Sequence, residues 1–387
     1  MKTIAWLLII ILAVSIFIPI IYIYQTWSTT NTNSAKLDEF HFGVTSGFNT
    51  TSETERLIDK VKNYTDLFII NSWDIAQNET MLNEICNYAA NANLKFVVYF
   101  DLISGTSGST VTYPWHKEWL TTAKTRWGNK FLGIYLHDEL GGKQIDEHRY
   151  IQNASNYQDA ANQFVSYIAS FGSLQFSKSN SIPLFTSDYA LCWWDYLGGY
   201  DTIFVELGWN ISTLHQIALG RGAANMQNKD WGAIITWTYD KEPYLESGPQ
   251  MYNDMLSAYQ AGAKYVVVFD YAKDPITNTT QDILKEQHLN AMKDFYTYVK
   301  THPRNVYGYT AGQVAFVLPA NYGWGTRRPD EGLWGLFPPD DKTEMIWMNM
   351  NKLSTEYGLE LDIIIDDARF NAHDKYTTIY FWNSTVA

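Results

Sequence analysis

Short runs rich in Val, Ile, Phe and Tyr recur along the chain, separated by stretches whose apolar residues return every three or four positions. The short runs predict eight strands: 41–47, 66–74, 95–101, 131–139, 182–189, 201–209, 232–240 and 265–272. The intervening stretches predict amphipathic helices, clearest at 52–64, 79–92, 157–171 and 281–300. Only the gap ALCWWDYLGGY, between the fifth and sixth strands, is too short for a full helix. Strand–helix alternation repeated eight times is the pattern of a (β/α)8 TIM barrel, an α/β fold, here over residues 41–305. After His302-Pro303 the rhythm changes. A strand at 313–319, a long loop at 321–341, a helix at 343–358 and strands at 361–367 and 377–383 predict a small C-terminal α/β unit over 306–387, packed on the barrel.

The N-terminus follows another pattern. Residues 3–35 carry no charge, and Ile4–Tyr24 is almost wholly apolar, long enough to cross a bilayer core of ~30 Å as a helix. Tyr22, Tyr24 and Trp27 sit where an interfacial aromatic belt belongs. Residues 1–25 therefore read as a transmembrane anchor and 26–40 as a polar linker, with a cleaved signal peptide as the rival reading. In either case the remainder faces out of the cytoplasm. N-x-S/T sequons at Asn49, Asn63, Asn78, Asn153, Asn210, Asn278 and Asn383 agree with that placement. Cys86 and Cys192 are either one disulfide or two buried thiols.

A barrel concentrates its chemistry at the C-terminal ends of its strands. Alternation on strand four, FLGIYLHDE, sends Tyr135, His137 and Glu139 inward if Ile134 and Leu136 face the helices. The same logic points Phe204 and Glu206 inward on strand six, Asp270 on strand eight and Asp101 on strand three. Asp188 and Asp240 end strands five and seven, and Asp138 adjoins Glu139. Glu206 lies inside an apolar strand, so it must be paired, protonated or functional.

Composition then narrows the chemistry. A net charge of −13 excludes a dedicated nucleic-acid binder. Trp and Tyr are abundant, 15 and 27 residues, and flat rings stack on sugar faces. Paired carboxylates among aromatics suggest glycoside hydrolysis, one acid protonating the leaving oxygen and a second attacking or activating water. The favoured acid/base is Glu139 and the favoured partner Glu206, with Asp240 and Asp270 as rivals. Trp73, Trp193, Trp194, Trp209, Trp237 and Tyr239 are candidate sugar platforms, alongside Asp101, Tyr135, His137, Asp138 and Asp188. Arg327 and Arg328, in a Trp-, Gly- and Pro-rich loop expected to fold over the barrel mouth, are candidates for an acidic sugar.

On these residues the chain resembles the barrel-type glycoside hydrolases, many of which end strand four in an acid, here Glu139 in GIYLHDE. It departs from the largest clan of that superfamily. Asp138 stands where the clan has Asn, and strand seven, ITWTYDKEP, has no Glu at its end. A barrel followed by a small α/β unit is similar to the layout of some β-galactosidases, whose second domain resembles a glutamine amidotransferase. The resemblance implies a carbohydrate substrate and no cofactor or metal. Metal hydrolysis fits poorly, since strand one has a single His41 and strands five and six have none, and no G-x-S-x-G elbow is present. The non-enzymatic alternative is a glycan-binding or cell-envelope protein on the same scaffold.

Overall fold

The computed structural model describes residues 39–100, 115–273 and 280–384. The candidate anchor, most of the linker and Asp101 lie outside the described residues. Among the described residues no helix is long and apolar enough to cross a membrane.

Eight parallel strands close in sequence order into a barrel. They are β1 (His41–Ser46), β2 (Leu67–Ile70), β3 (Lys95–Tyr99), β4 (Phe131–Tyr135), β5 (Leu184–Asp188), β6 (Thr202–Leu207), β7 (Asp230–Ile235) and β8 (Tyr265–Asp270). Each observed strand is shorter than the apolar run that announces it, because the last residues of most runs leave the sheet to form the rim. The inside is filled by Leu67, Ile69, Val97, Tyr135, Phe185, Phe204, Ile234, Tyr265 and Val267, with Phe204 parallel to both Tyr135 and Phe185. The opposite faces of the same strands carry Ile134, Leu136, Ile203, Val205 and Leu207 into the outer core beneath the helices. A period of two is thus enough to build both cores.

The helices are started by side-chain caps, as at Thr50, Asn78, Asn156 and Ser212. The short gap between β5 and β6 does form a helix, Cys192–Gly198, of two turns. Cys86 and Cys192 are buried and free. A minor hairpin, β9 (Ala272–Lys273) with β10 (Thr280–Gln281), follows β8.

The C-terminal unit is a parallel three-stranded sheet in the order β12-β11-β13, from β11 (Val314–Leu318), β12 (Leu361–Ile365) and β13 (Thr378–Phe381), with the helix Thr343–Tyr357. It docks on the barrel through one buried polar knot. Arg221 of the helix Thr213–Gln227 is 2 % exposed. It binds Asp362 of β12 at 2.7 Å and donates to the carbonyls of Ala261, Thr310, Leu359 and Leu361. Asp362 also accepts from Asn225 and Tyr376, so both partners are satisfied.

The 321–341 loop is ordered, but it does not cover the mouth. Trp334 packs on Trp194 and Phe164, and its carbonyl accepts from Gln144. Arg327 pairs with Asp146 and Glu331 and lies over Tyr189. The loop therefore straps the helices that follow β4 and β5 from outside, because its aromatic residues find apolar partners there.

Candidate active site

At the C-terminal rim a cleft of about 270 Å3 is lined by Tyr135, Asp138, Glu139, Ser187 and Glu206, by the rings of Trp209, Trp237, Phe269 and Tyr271, and by Asn71, Ile234 and Thr236. It is assembled from residues on or just past β2, β4, β5, β6, β7 and β8.

The β4 segment explains how three consecutive titratable residues divide. The strand ends at Tyr135, and both His137 (φ 58°) and Glu139 (φ 55°) adopt the left-handed conformation, which costs energy for residues with a Cβ. This breaks the alternation that would have turned His137 inward. His137 is instead buried on the helix side, its ring stacked on Phe171 at 3.9 Å and its Nδ1 2.6 Å from the Tyr200 hydroxyl. Tyr200 donates to the Leu136 carbonyl, so it accepts from His137. Asp138 and Glu139 are delivered to the cleft together.

Asp188 holds that geometry from below. Phe185 points inward and Ser187 lines the cleft, so Asp188 faces out. Fully buried, it accepts the N–H groups of Gly141 (2.5 Å), Gly142 (2.9 Å) and Ala190 (3.0 Å). It thereby caps the helix Leu140–Glu147 that begins directly after Glu139. The close approach requires glycine: a Cβ on Gly142 would lie 2.0 Å from the Tyr189 ring. Burial raises Asp188 to about 6 in spite of these donors.

Asp270 has the same explanation. Val267 belongs to the barrel interior with Phe269 packed against it, so the parity on β8 is opposite to the sequence expectation, and Asp270 faces out. It accepts from the N–H groups of Ile283 and Leu284 at 2.8 and 3.0 Å, anchoring the segment that enters the helix Glu286–Thr301. Asp240 is exposed in the loop after β7, because the strand ends at Ile235 and the chain turns through bonds from Thr238 and Tyr239 to the Tyr244 carbonyl.

The aromatic candidates divide likewise. Trp209 and Trp237 line the cleft, edge to face at 6.0 Å. Trp73 and Tyr239 are exposed outside its lining. Trp193 and Trp194 are buried under the C-terminal unit, Trp193 donating to Asp367. Arg327 is committed to the strap, and Arg328 extends into solvent beside Asp330. Asn71, Ser187, Ile234, Thr236, Phe269 and Tyr271 line the cleft but are not among the candidates named from the sequence. Ser187 was accessible to it, two residues beyond an inward Phe185.

The carboxyls are linked. Ser187 Oγ lies 2.7 Å from Glu206 Oε1 and 3.0 Å from Asp138 Oδ1, and Tyr135 donates to the same Asp138 oxygen at 2.8 Å. A hydroxyl has one proton and cannot donate to both carboxyls at once. With Ser187 donating to Asp138, Glu206 is the donor to Ser187 and is neutral. Burial, then the charges of Glu139 and Asp138, hold Glu206 well above the usual carboxyl range. Glu206 Oε2 is buried without a protein partner. Glu139 is raised to about 7 by burial and by Asp138, against the pull of Lys143, whose Nζ is 3.0 Å from Glu139 Oε2. Among the described residues, no Lys or Arg lines the cleft itself. Among the described residues, no group of three or more His, Cys, Asp or Glu is placed to hold a metal ion.

No protein-family model matches this sequence, and a search among curated proteins finds no match. Solved structures match in fold. A GH5_18 protein from Streptomyces cattleya, in complex with GlcNAc, superposes with a TM-score of 0.56 at 13% identity, covering 89% of this chain and 99% of its own. A GH5_18 variant from Bifidobacterium longum, in complex with Manβ1-4GlcNAc, gives 0.52 at 11%, covering 90% and 97%. A β-galactosidase from the psychrophilic Marinomonas ef1 gives 0.54 at 10%, covering 88% of this chain and 72% of its own. The chain thus shares the eight-stranded parallel barrel architecture of the barrel-type glycoside hydrolases.

Proposed function

We propose that this protein is a glycoside hydrolase that cleaves a neutral glycan by paired-carboxyl catalysis, held outside the cytoplasm by an N-terminal membrane anchor. One observation carries the reading: Glu139 and Glu206 line the same aromatic cleft at the barrel rim in environments that separate their protonation. Two carboxyls pushed apart in this way define an acid and a base.

The separation reverses the assignment favoured from sequence. Glu206, buried and neutral, is the general acid. Its proton passes to the glycosidic oxygen as the bond to the anomeric carbon breaks. Ser187 can then turn its hydroxyl from Asp138 to the new Glu206 carboxylate, which stabilises it. Glu139, ionised, supplies negative charge to the oxocarbenium-like centre, by attack at the anomeric carbon or by accepting a proton from water. Trp209 and Trp237 offer faces for the sugar rings.

The substrate follows from charge. Among the described residues, three carboxyl residues and no cation line the cleft, so uronates and sialates are disfavoured and neutral sugars favoured. The fold neighbours, a β-galactosidase and two proteins with GlcNAc or Manβ1-4GlcNAc bound, support the same class. The extracytoplasmic placement rests on the uncharged N-terminal stretch and on sequons such as Asn63, Asn78 and Asn153, whose side chains are exposed.

The test is incubation of the purified protein with neutral and acidic oligosaccharides, scored by mass spectrometry. Release from neutral β-glycosides only is expected. Binding of the same glycans without release, by wild type and by the carboxyl variants alike, would replace the hydrolase with a binding module. Proton NMR of the first anomer released distinguishes retention from inversion. Trp209→Ala is expected to lower kcat/KM by about 2- to 10-fold, the equivalent of ~0.5–1.5 kcal/mol of ring contact. The proposed activity rises with pH as Glu139 ionises through about 7, and falls again where Glu206 loses its proton.

A further inference from the structure

Lys143 lies one helical turn beyond Glu139, with its ammonium enclosed by the β4–helix corner. Its Nζ is 3.0 Å from Glu139 Oε2, 2.9 Å from the Asp138 carbonyl and 3.5 Å from Asp138 Oδ2. The side chain is about one-fifth exposed. Lys143 is not part of the cleft lining, so it touches the carboxyls from behind and leaves their cleft side to substrate. The helix Leu140–Glu147 is fixed beneath it by Asp188, and the Glu139 N–H donates to the Ser187 carbonyl, so the ammonium cannot drift far from its partner.

We propose that Lys143 is a positioning residue that decides which carboxyl of the cleft holds the proton: its ammonium keeps Glu139 ionised and so leaves Glu206 as the donor. The inference rests on the hydrolase reading for its catalytic meaning, though not for its physical content. The groups around Glu139 show why a cation is needed. Asp138 from its own segment, Asp188 from β5 and Glu206 from β6 all bring carboxyls. Tyr189 and Tyr150 bring phenols, which are neutral below the alkaline range and contribute no charge. Lys143 is the cation that the geometry places in contact with Glu139. Burial works against its own charge, but Asp138 and Glu139 more than offset that, and Lys143 titrates above its ordinary value. Without it, burial and the charges of Asp138 and Asp188 would push Glu139 further towards its protonated form at neutral pH, and Glu139 and Glu206 would both be acids.

The test uses Lys143→Gln and Lys143→Arg in the full-length protein, with the Glu139 carboxyl followed by 13C NMR and assigned through Glu139→Gln. In Lys143→Gln the Glu139 midpoint is expected to rise by ~1–3 pH units, the range an adjacent opposite charge commands. The rising limb of kcat/KM should move with it, so the loss at pH 7 exceeds the loss at pH 9. Lys143→Arg should restore most of both. An unchanged Glu139 midpoint in folded Lys143→Gln, or an equal loss at every pH, overturns the proposal. If Lys143→Gln does not fold, the 15Nζ shift of Lys143 in wild type decides: it should step at the Glu139 midpoint, and a featureless titration overturns the proposal. The NMR readouts need no turnover. A wild-type protein that cleaves nothing therefore removes the hydrolase reading while the midpoint still judges Lys143.

Discussion

Glu206→Gln is expected to reduce turnover of any glycan the wild type cleaves by at least ~10³-fold, or ~4 kcal/mol of barrier. The amide keeps the size of the side chain and its place beside Ser187, but it has no proton to give to a leaving oxygen. Glu139→Gln should be comparably inactive for a different reason, the loss of negative charge. A substrate with a leaving group that needs no protonation, such as a nitrophenolate, separates the two. Glu206→Gln should recover much of its cleavage rate on that substrate, and Glu139→Gln should not. Equal recovery by both would return the acid role to Glu139.

The same substitution should stabilise the fold at high pH. The native value of Glu206 is raised above that of the unfolded chain. Such a group contributes stability that is fully present below its unfolded value of ~4.3, and that contribution is lost as pH rises through the folded value. Thermal melting should therefore show Glu206→Gln above wild type at pH 8 and no gain near pH 4. A melting temperature at pH 8 below that of wild type would mean that Glu206 is not held neutral by its surroundings.

Arg221→Ala is expected to be the most damaging substitution outside the cleft, costing ~3–5 kcal/mol, because it strands a buried Asp362 carboxylate without its cation. Four backbone carbonyls lose their donor in the same stroke. These carbonyls belong to the end of the helix Gly248–Gln260, to the approach to β11 and to the entry of β12. The barrel and the C-terminal unit should therefore come apart before either melts, and urea denaturation should change from one transition to two. Lys at this position keeps a charge but lacks the guanidinium fork that reaches several acceptors, so it should recover only part of the loss. A single unshifted transition in Arg221→Ala would show that the apolar contacts of the two units suffice.

The alternation of apolar residues determined the strand order, the closed barrel, the appended sheet and the inward placement of Tyr135, Phe204 and Glu206. Those features follow from a period of two in strands and near four in helices, which any barrel must satisfy to fill its inside and cover its outside. The sequence also brought the eye to Glu139 and to both cleft tryptophans, because polar or bulky residues at strand ends have few other places to go. Only the tertiary structure decided where that alternation stops. Left-handed backbone at His137 and Glu139 turned one titratable side chain out and two in. Opposite parity on β8 made Asp270 an anchor for backbone amides, and the early end of β7 left Asp240 in solvent. The protonation of the cleft was beyond sequence for a further reason. It depends on burial and on distances of about 3 Å among Asp138, Ser187, Glu206, Glu139 and Lys143, which come from three strands and one helix corner. A chain read in one dimension shows which groups exist, while their charges are set by which of them the fold makes neighbours.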